Sequence, residues 1–258
     1  MKFYSSIHSW YDQIFIFAPA QRDFILSFGS GPEMALVDAG CGTGSLIVSL
    51  AKDFGSCTGL DPDESMLEGA REKAAAVAAG CRLVNGGMLD LEREFAPASV
   101  DRLICFGNTL PHLTSLEEVH EMFRQASSVL KPDGLILLQI INFQRIFRNR
   151  LPGLPTLEND QVRFVRNYRF ELPDPAVIRF HTLLTIKATG VTVENDIPLL
   201  AITEEQLAGE LFKSGLNNLQ IFGGFGKEPF TPDSQPMIIV AGKRDYGIVA
   251  GYQLPVTS

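Results

Sequence analysis

Hydrophobic positions change their period along this chain, and the changes divide it. Residues 1–29 carry apolar side chains at helical spacing, with Ile14, Phe17, Phe24, Ile25 and Phe28 as candidate core positions and Pro19 near the start of a second helix. From Met34 onward, short apolar runs alternate with amphipathic stretches. Runs 34–37, 56–60, 81–84, 99–106 and 135–141 read as strands, and 46–50, 66–79 and 116–130 read as the helices between them. Such alternation predicts a parallel sheet covered on both faces. The third helix is expected to end at Lys131-Pro132-Asp133-Gly134.

The period then shortens. Segments 162–171, 177–188 and 191–200 alternate every second residue, separated by Leu172-Pro173-Asp174-Pro175 and by Gly190. This predicts an antiparallel meander. Residues 143–200 are therefore expected to be an inserted cap, with 1–142 and 201–244 forming the main domain and 245–258 a tail. Thr203-Glu204-Glu205-Gln206 is a capping box that opens one more helix, and Gly215 closes it. Runs 219–223 and 237–241 complete the sheet as an antiparallel edge.

Candidate chemistry sits where the first strand meets the first helix, at Asp38-Ala39-Gly40-Cys41-Gly42-Thr43-Gly44. Alternate glycines let the chain reverse through positive φ and let a ligand lie on bare backbone, with the free N–H groups of the helix start pointing at it. The spacing is G-x-G-x-G, whereas the dinucleotide fingerprint is G-x-G-x-x-G, and no Gly-Lys-Ser/Thr follows as in a P-loop. A second acid, Asp61, ends the next strand 17 residues after Gly44. There a carboxylate can accept from ribose hydroxyls, while Asp61-Pro62-Asp63-Glu64 also reads as a helix start.

The glycine run resembles motif I of the class I S-adenosylmethionine-dependent methyltransferases. Tyr11-Asp12 and the Leu130-Lys131-Pro132 join are also similar to that family, and Gly107-Asn108-Thr109-Leu110-Pro111-His112-Leu113 resembles a segment of glycine and glycine/sarcosine N-methyltransferases. The resemblance implies an α/β, Rossmann-like seven-stranded, mostly parallel sheet with helices on both faces, plus the antiparallel β cap. It implies S-adenosylmethionine as cofactor, with its methionine end on Asp38, Gly40, Cys41, Gly42 and Gly44. Asp61 would hold the ribose beside Pro62 and Met66, and Asp90 the adenine amino group between Met88 and Leu89. Phe106 and Gly107 would meet the cofactor through backbone groups. On the acceptor side it places Tyr11 near the methyl path, with Asn108 and Thr109 orienting the acceptor. His112 would line the site, transfer a proton there as a catalytic group, or be a satisfied loop histidine. Asn142-Phe143-Gln144 resembles the Asn-Tyr-Asp of the glycine enzymes, with Phe and Gln as departures.

Composition narrows the partners. The 258 residues are 45% hydrophobic with a formal charge of −8, and no apolar run approaches a membrane span, so neither a membrane nor a nucleic acid is expected as partner. The four cysteines form no C-x-x-C pair, and no metal site is assigned. The first ten residues do not read as a signal peptide, so a cytoplasmic location is expected. Residues 142–190 run against the acidic balance, with eight basic residues, seven of them arginine, against four acidic. Arginine's planar fork suits carboxylate and phosphate. One reading is an anionic or carboxylate-bearing small-molecule substrate held by one or two of Arg145, Arg166, Arg169 and Arg179, with Asn142 also on the substrate side; the other is that the arginines face solvent on the outer side of the meander. No residue stands out as a strong base, which favours N-methylation of a small amine arriving neutral. A non-catalytic cofactor-binding regulator is the alternative, an NAD-dependent oxidoreductase is disfavoured by the glycine spacing, and an oligomer is open.

Overall fold

The computed structural model describes residues 2–170 and 176–244. The N-terminal segment forms α1 (Lys2–Ile7), a 3-10 turn (His8–Trp10), α2 (Tyr11–Ile14) and α3 (Pro19–Leu26), whose proline occupies the first turn where no N–H is needed. The alternating region is β1 (Gly31–Ala39), α4 (Ser45–Leu50), β2 (Phe54–Asp61), α5 (Glu64–Ala76), β3 (Cys81–Asn85), α6 (Leu91–Glu94), β4 (Val100–Cys105), a second 3-10 turn (Leu110–His112), α7 (Leu116–Val129) and β5 (Leu130–Ile141). It is followed by α8 (Phe143–Asn149), β6 (Gly153–Glu158), β7 (Val162–Phe170), β8 (Val177–Ile186), β9 (Thr192–Leu200), α9 (Glu204–Lys213), β10 (Asn218–Phe222) and β11 (Pro236–Gly242).

Seven strands form one sheet in the order β10-β11-β5-β4-β1-β2-β3. Strands β1 to β5 pair in parallel, and β11 runs antiparallel to both β5 and β10. The side-chain period of two sends Leu36, Ile104 and Leu137 to one face, against Phe24 and Ile25 of α3 and Ile47 and Leu50 of α4. Val37, Leu103 and Ile136 go to the other face, against Val119 and Phe123 of α7 and Leu207 and Leu211 of α9. Both faces are buried, which is why these strands read as continuous apolar runs. Strand order reverses between β1 and β4, and the crevice at their carboxyl ends is where such sheets hold ligands.

Two details depart from expectation in this region. The Lys131-Pro132-Asp133-Gly134 stretch is not a free turn but a bulged start of β5, because the pairing with β4 jumps from Val100↔Leu130 to Arg102↔Leu135. Phe17 and Phe28 are half-buried and not core, whereas Phe24 and Ile25 are fully buried.

Strands β6-β7-β8-β9 form a separate antiparallel sheet, so the meander is present. It has one more strand than expected, β6, and a helix, α8, precedes it. Pro155 hides β6 from a pattern search, and an edge strand tolerates a proline at the irregularity between Leu154 and Leu157. Glu171, the Leu172-Pro173-Asp174-Pro175 turn and the tail 245–258 lie outside the described residues. One face of this second sheet packs Val162, Phe164 and Leu184 on Ile7 and Ile14, with Phe15 edge-on to Phe164 at 5.8 Å. Helices α1 and α2 are therefore held between the second sheet and the crevice. No helix among the described residues is long and apolar enough to cross a membrane.

Candidate functional site

The turn after β1 needs its glycines. Gly40, Gly42 and Gly44 have φ of 87°, 54° and 77°, and a Cβ on Gly40 would stand 2.3 Å from Cγ2 of Thr109. Asp61 stabilises the turn from the end of β2: its Oδ2 accepts from Gly42 N–H at 2.9 Å and its Oδ1 from Asp63 N–H at 2.9 Å. A helix does start in this segment, but its cap is not Asp61: Asp63, two residues later, caps α5 through Ser65 N–H at 3.0 Å.

Asp12 fastens α2 to the same turn. Its carboxylate accepts from Thr43 Oγ1 at 2.7 Å and Ser45 Oγ at 3.1 Å and pairs with Lys73 Nζ at 2.5 Å. These bonds hold the neighbouring Tyr11 over Gly42, where its hydroxyl lies 3.3 Å from the position a Cβ would take. Asp12 was read only as part of a motif, and its bonding explains why Asp follows Tyr.

Two cavities meet at Tyr11, Gly40 and Gly107. The first encloses about 940 Å³ including its open mouth and is walled by Asp61, Pro62, Asp63, Met66, Gly87, Met88, Leu89, Asp90, Thr109, His112, Leu113 and Tyr4. The second, about 750 Å³ including its open mouth, lies on the other side of Tyr11 and is walled by Asp12, Asp38, Cys41, Thr43, Phe106, the Phe15–Phe17 connection between α2 and α3, and Gln21 of α3. Neither cavity has a lysine or arginine in its wall.

Asp38 is 3% exposed, and no donor among the described residues reaches it. Burial first, and the Asp61 carboxylate second, push its pKa up to about 8. A cation in the second cavity would reverse both effects. Asp61 is also raised, by burial, against the pull of its two backbone donors. The Cys41 thiol is pushed well up by burial, so it is an inert wall. Asp90 does line the first cavity, and its oxygens already take Gly87 N–H at 2.7 Å and Arg93 at 2.6 Å. It braces the loop that presents Met88 and Leu89.

On the acceptor side, Tyr11 and His112 are in the wall, and Tyr4 joins them. Tyr4 Oη and His112 Nε2 share a hydrogen bond of 2.9 Å with the rings edge-on at 5.5 Å. Burial lowers the His112 pKa to about 4, so the imidazole is neutral and a poor proton acceptor at neutral pH. Burial raises both tyrosines, so the phenols keep their protons. Tyr4 carried no signal in the sequence, being one aromatic residue in an N-terminal helix.

Asn108 is a correction. Gly107 and Asn108 both have positive φ, 76° and 63°, and the double left-handed step turns the Asn108 side chain toward β5, where Oδ1 accepts from Ile141 N–H at 2.9 Å. It lines neither cavity; its neighbours Gly107 and Thr109 do. Asn142 is another correction. It is 2% exposed, caps α8 through Arg145 N–H and donates to the carbonyls of Pro232 and Ser234, so it clamps the loop before β11.

The arginines divide by strand parity. Arg169 and Arg179 face each other across β7 and β8 on the outer side and share Asp196, at 3.2 and 2.7 Å. Arg166 is on the inner side, half-buried, and donates to the Pro155 carbonyl. Arg145 starts α8, close to Tyr168. None of the four lines either cavity.

A family profile described as a methyltransferase domain matches residues 36–134, the stretch that carries the glycine turn and the walls of the first cavity apart from Tyr4 and Tyr11. A protein of Geobacillus sp. (strain WCH70) with a provisional methyltransferase name is 29% identical over 66% of this chain and 70% of its own. The glycine/sarcosine N-methyltransferase of Aphanothece halophytica is 23% identical over 81% of this chain and 76% of its own. Across the curated relatives the match covers from 36% to 76% of the relative's length. Among solved structures, an S-adenosylmethionine-dependent methyltransferase from Clostridium acetobutylicum ATCC 824 superposes with a TM-score of 0.77 at 17% identity, covering 93% of this chain and 98% of that one. An S-adenosylmethionine-bound amino pentose methyltransferase from Micromonospora echinaspora superposes at 0.64 with 20% identity, covering 90% and 91%. The two superpositions, covering 93% and 90% of this chain, take in the fold of the second sheet as well as the first, whereas the family profile ends before it.

Proposed function

We propose, from the premise that this chain belongs to the class I S-adenosylmethionine-dependent methyltransferases, that it N-methylates a small-molecule amine. S-adenosylmethionine is its cofactor, and when bound supplies a methyl group already activated on a sulfonium. The residues fit that group. Asp38, a buried carboxylate with no donor among the described residues, suits a cationic centre; Gly40 and Gly42 put bare backbone in the wall of the first cavity; and Asp61 can accept from ribose hydroxyls with its remaining lone pairs.

One observation carries the choice of an amine. Five carboxylates, Asp12, Asp38, Asp61, Asp63 and Asp90, stand in the walls of the two cavities, Asp12 and Asp90 already paired with Lys73 and Arg93, and no lysine or arginine among the described residues lines either cavity. Such a lining favours a cationic or neutral basic acceptor and opposes an anionic one. This also weighs against the anion reading of the arginines, which are engaged within the second sheet or away from the cavities.

The chain's own residues then divide the work. Tyr11, pinned by Asp12, covers the junction of the two cavities and keeps water from it. The Tyr4–His112 pair presents a neutral polar wall to the acceptor. With its pKa at about 4, His112 cannot hold a proton taken from an ammonium, so the amine must enter as the free base and lose its extra proton to solvent afterwards. Holding two groups in line can lower a barrier by about 7–11 kcal/mol, which leaves no need for a strong base. Release of S-adenosylhomocysteine, with a gain of one methylene in mass, tests this against a panel of primary amines, phenols and carboxylic acids. Methylation of phenols or acids alone would overturn the amine reading and leave the family intact.

A further inference from the structure

The inner face of the second sheet is apolar except at one place. Register puts Phe164, Leu184 and Val193 in one cross-strand row, Arg166, Thr182 and Asn195 in the next, and Tyr168, Phe180 and Ile197 in the third. Residues directly paired in an antiparallel sheet point to the same side, with Cβ atoms about 4.5–5.5 Å apart. Arg166 and Thr182 are therefore immediate neighbours, and Tyr168 is one step along the strand. Thr182 is 1% exposed and Tyr168 6%, yet Thr182 Oγ1 and Tyr168 Oη have no hydrogen-bond partner among the described residues. Arg166 engages the Pro155 carbonyl through Nε and one Nη only.

Hydroxyls buried without partners are unfavourable, and this sheet had apolar options of the same shape, valine and phenylalanine, beside leucines and isoleucines that fill the other rows. The patch also lies close to the proposed acceptor. Strand β9 packs on α1 and on the Leu110–His112 turn, Ile197 and Phe164 join a cluster with Tyr4 and Tyr11, and Asn195 donates to Ser6 Oγ of α1 at 3.4 Å. Tyr4, Tyr11 and His112 thus have the cavity on one side and this face on the other.

We propose that Arg166, Tyr168 and Thr182 form the distal half of the acceptor site and bind hydroxyl groups of a polyhydroxylated amine whose nitrogen is methylated beside Tyr11. The assignment rests on the N-methylation reading. A ligand hydroxyl donates and accepts, as do Tyr168 and Thr182, and it also accepts from the remaining Arg166 N–H groups. An acceptor spanning both halves parts α1 from β9 at the Ser6–Asn195 contact.

Thr182→Val and Tyr168→Phe keep shape and delete the group. Three probes are compared with S-adenosylmethionine as donor: 3-amino-3-deoxyglucose, 3-aminotetrahydropyran, which lacks its hydroxyls, and 3-aminopropanoate. Wild type is expected to prefer the amino sugar, and each substitution to lower its kcat/KM relative to the hydroxyl-free amine about tenfold, or 1.4 kcal/mol. Neither substitution should lower the unfolding midpoint of the free protein, and S-adenosylhomocysteine should still raise it. A lowered midpoint in both variants overturns the proposal, because the hydroxyls then have structural partners such as ordered water. Preference for 3-aminopropanoate, or equal losses on both ring amines, overturns the hydroxyl assignment. If no amine is methylated while S-adenosylhomocysteine still shifts the midpoint, the N-methylation reading falls first, a result that wild type alone reveals.

Discussion

Replacing Asp38 by asparagine deletes one ionisable group without changing its shape, and the structure gives the sign and size of the effect. Asp38 is held at a pKa of about 8 by burial and by the Asp61 carboxylate, against about 3.9 in the unfolded chain. Between those values the folded protein keeps a proton that the unfolded chain has released. The native state binds more protons there, so stability falls as pH rises, by about 1.4 kcal/mol per pH unit for one proton. Below about pH 4 both states are protonated and nothing is lost; above about pH 8 the whole penalty is present. At pH 7 it reaches at most about 4 kcal/mol, from roughly three units of pH. Asp38→Asn is neutral in both states and recovers it, which for a chain of this size raises the unfolding midpoint by roughly 8–16 °C at that upper bound.

The assay is urea unfolding of the free wild type and Asp38→Asn at pH 5, 6, 7 and 8. The stability difference should grow from about 1.5 kcal/mol at pH 5 to about 4 at pH 7. The same variant should lose affinity for S-adenosylmethionine, and wild-type binding at pH 7 should release a proton, seen as a dependence of the binding enthalpy on buffer. Asp38→Asn gaining stability while losing ligand is what a carboxylate reserved for a cation requires. An equal or lower stability at every pH would refute the reasoning, since Asp38 would then be ionised and satisfied in the free protein.

Other substitutions separate the groups that face a ligand from those that hold the turn. Gly40→Ala puts a methyl 2.3 Å from Thr109 Cγ2 at a φ of 87°, so cofactor binding should be lost, with strain of about 1–3 kcal/mol; adding Thr109→Ser should restore part of the binding, and no restoration would mean that the backbone conformation alone is at fault. Asn108→Ala should lower stability by about 1–2 kcal/mol through the lost Ile141 bond and leave the acceptor KM in place, with the reverse pattern restoring Asn108 to the site. Because the His112 pKa is down at about 4, kcat/KM should rise with pH along the free-base fraction of the amine, and an inflection near 6.5 that disappears in His112→Gln would contradict its neutral role. Arg169→Ala should leave the affinity for acidic acceptors unchanged, and a loss there would revive the anionic substrate.

What the sequence revealed depended on whether a residue's role is set locally or across the chain. The glycine turn, Asp61 and the sheet itself were legible because φ, strand parity and two-sided burial leave marks within about ten neighbouring residues. Asn108, Asn142 and Arg169 were chosen by motif or charge, and a motif fixes a residue's place without fixing its side chain's direction. For Asn108 the direction was decided by a second left-handed residue after Gly107, and for Asn142 by the carbonyls of Pro232 and Ser234, about 90 positions away. The arginines are the instructive case, since parity could have sorted them. Counting by two from the buried Val162 and Phe164 places Arg166 and Tyr168 inward and Arg163 and Arg169 outward, and the paired strand places Thr182 inward opposite Arg166. A search for charge alone gave the four arginines equal weight. The same strands read for burial single out Arg166, Tyr168 and Thr182, where polar atoms occupy positions that burial would fill with valine or phenylalanine, and that contradiction, more than any cluster of charge, points to a ligand.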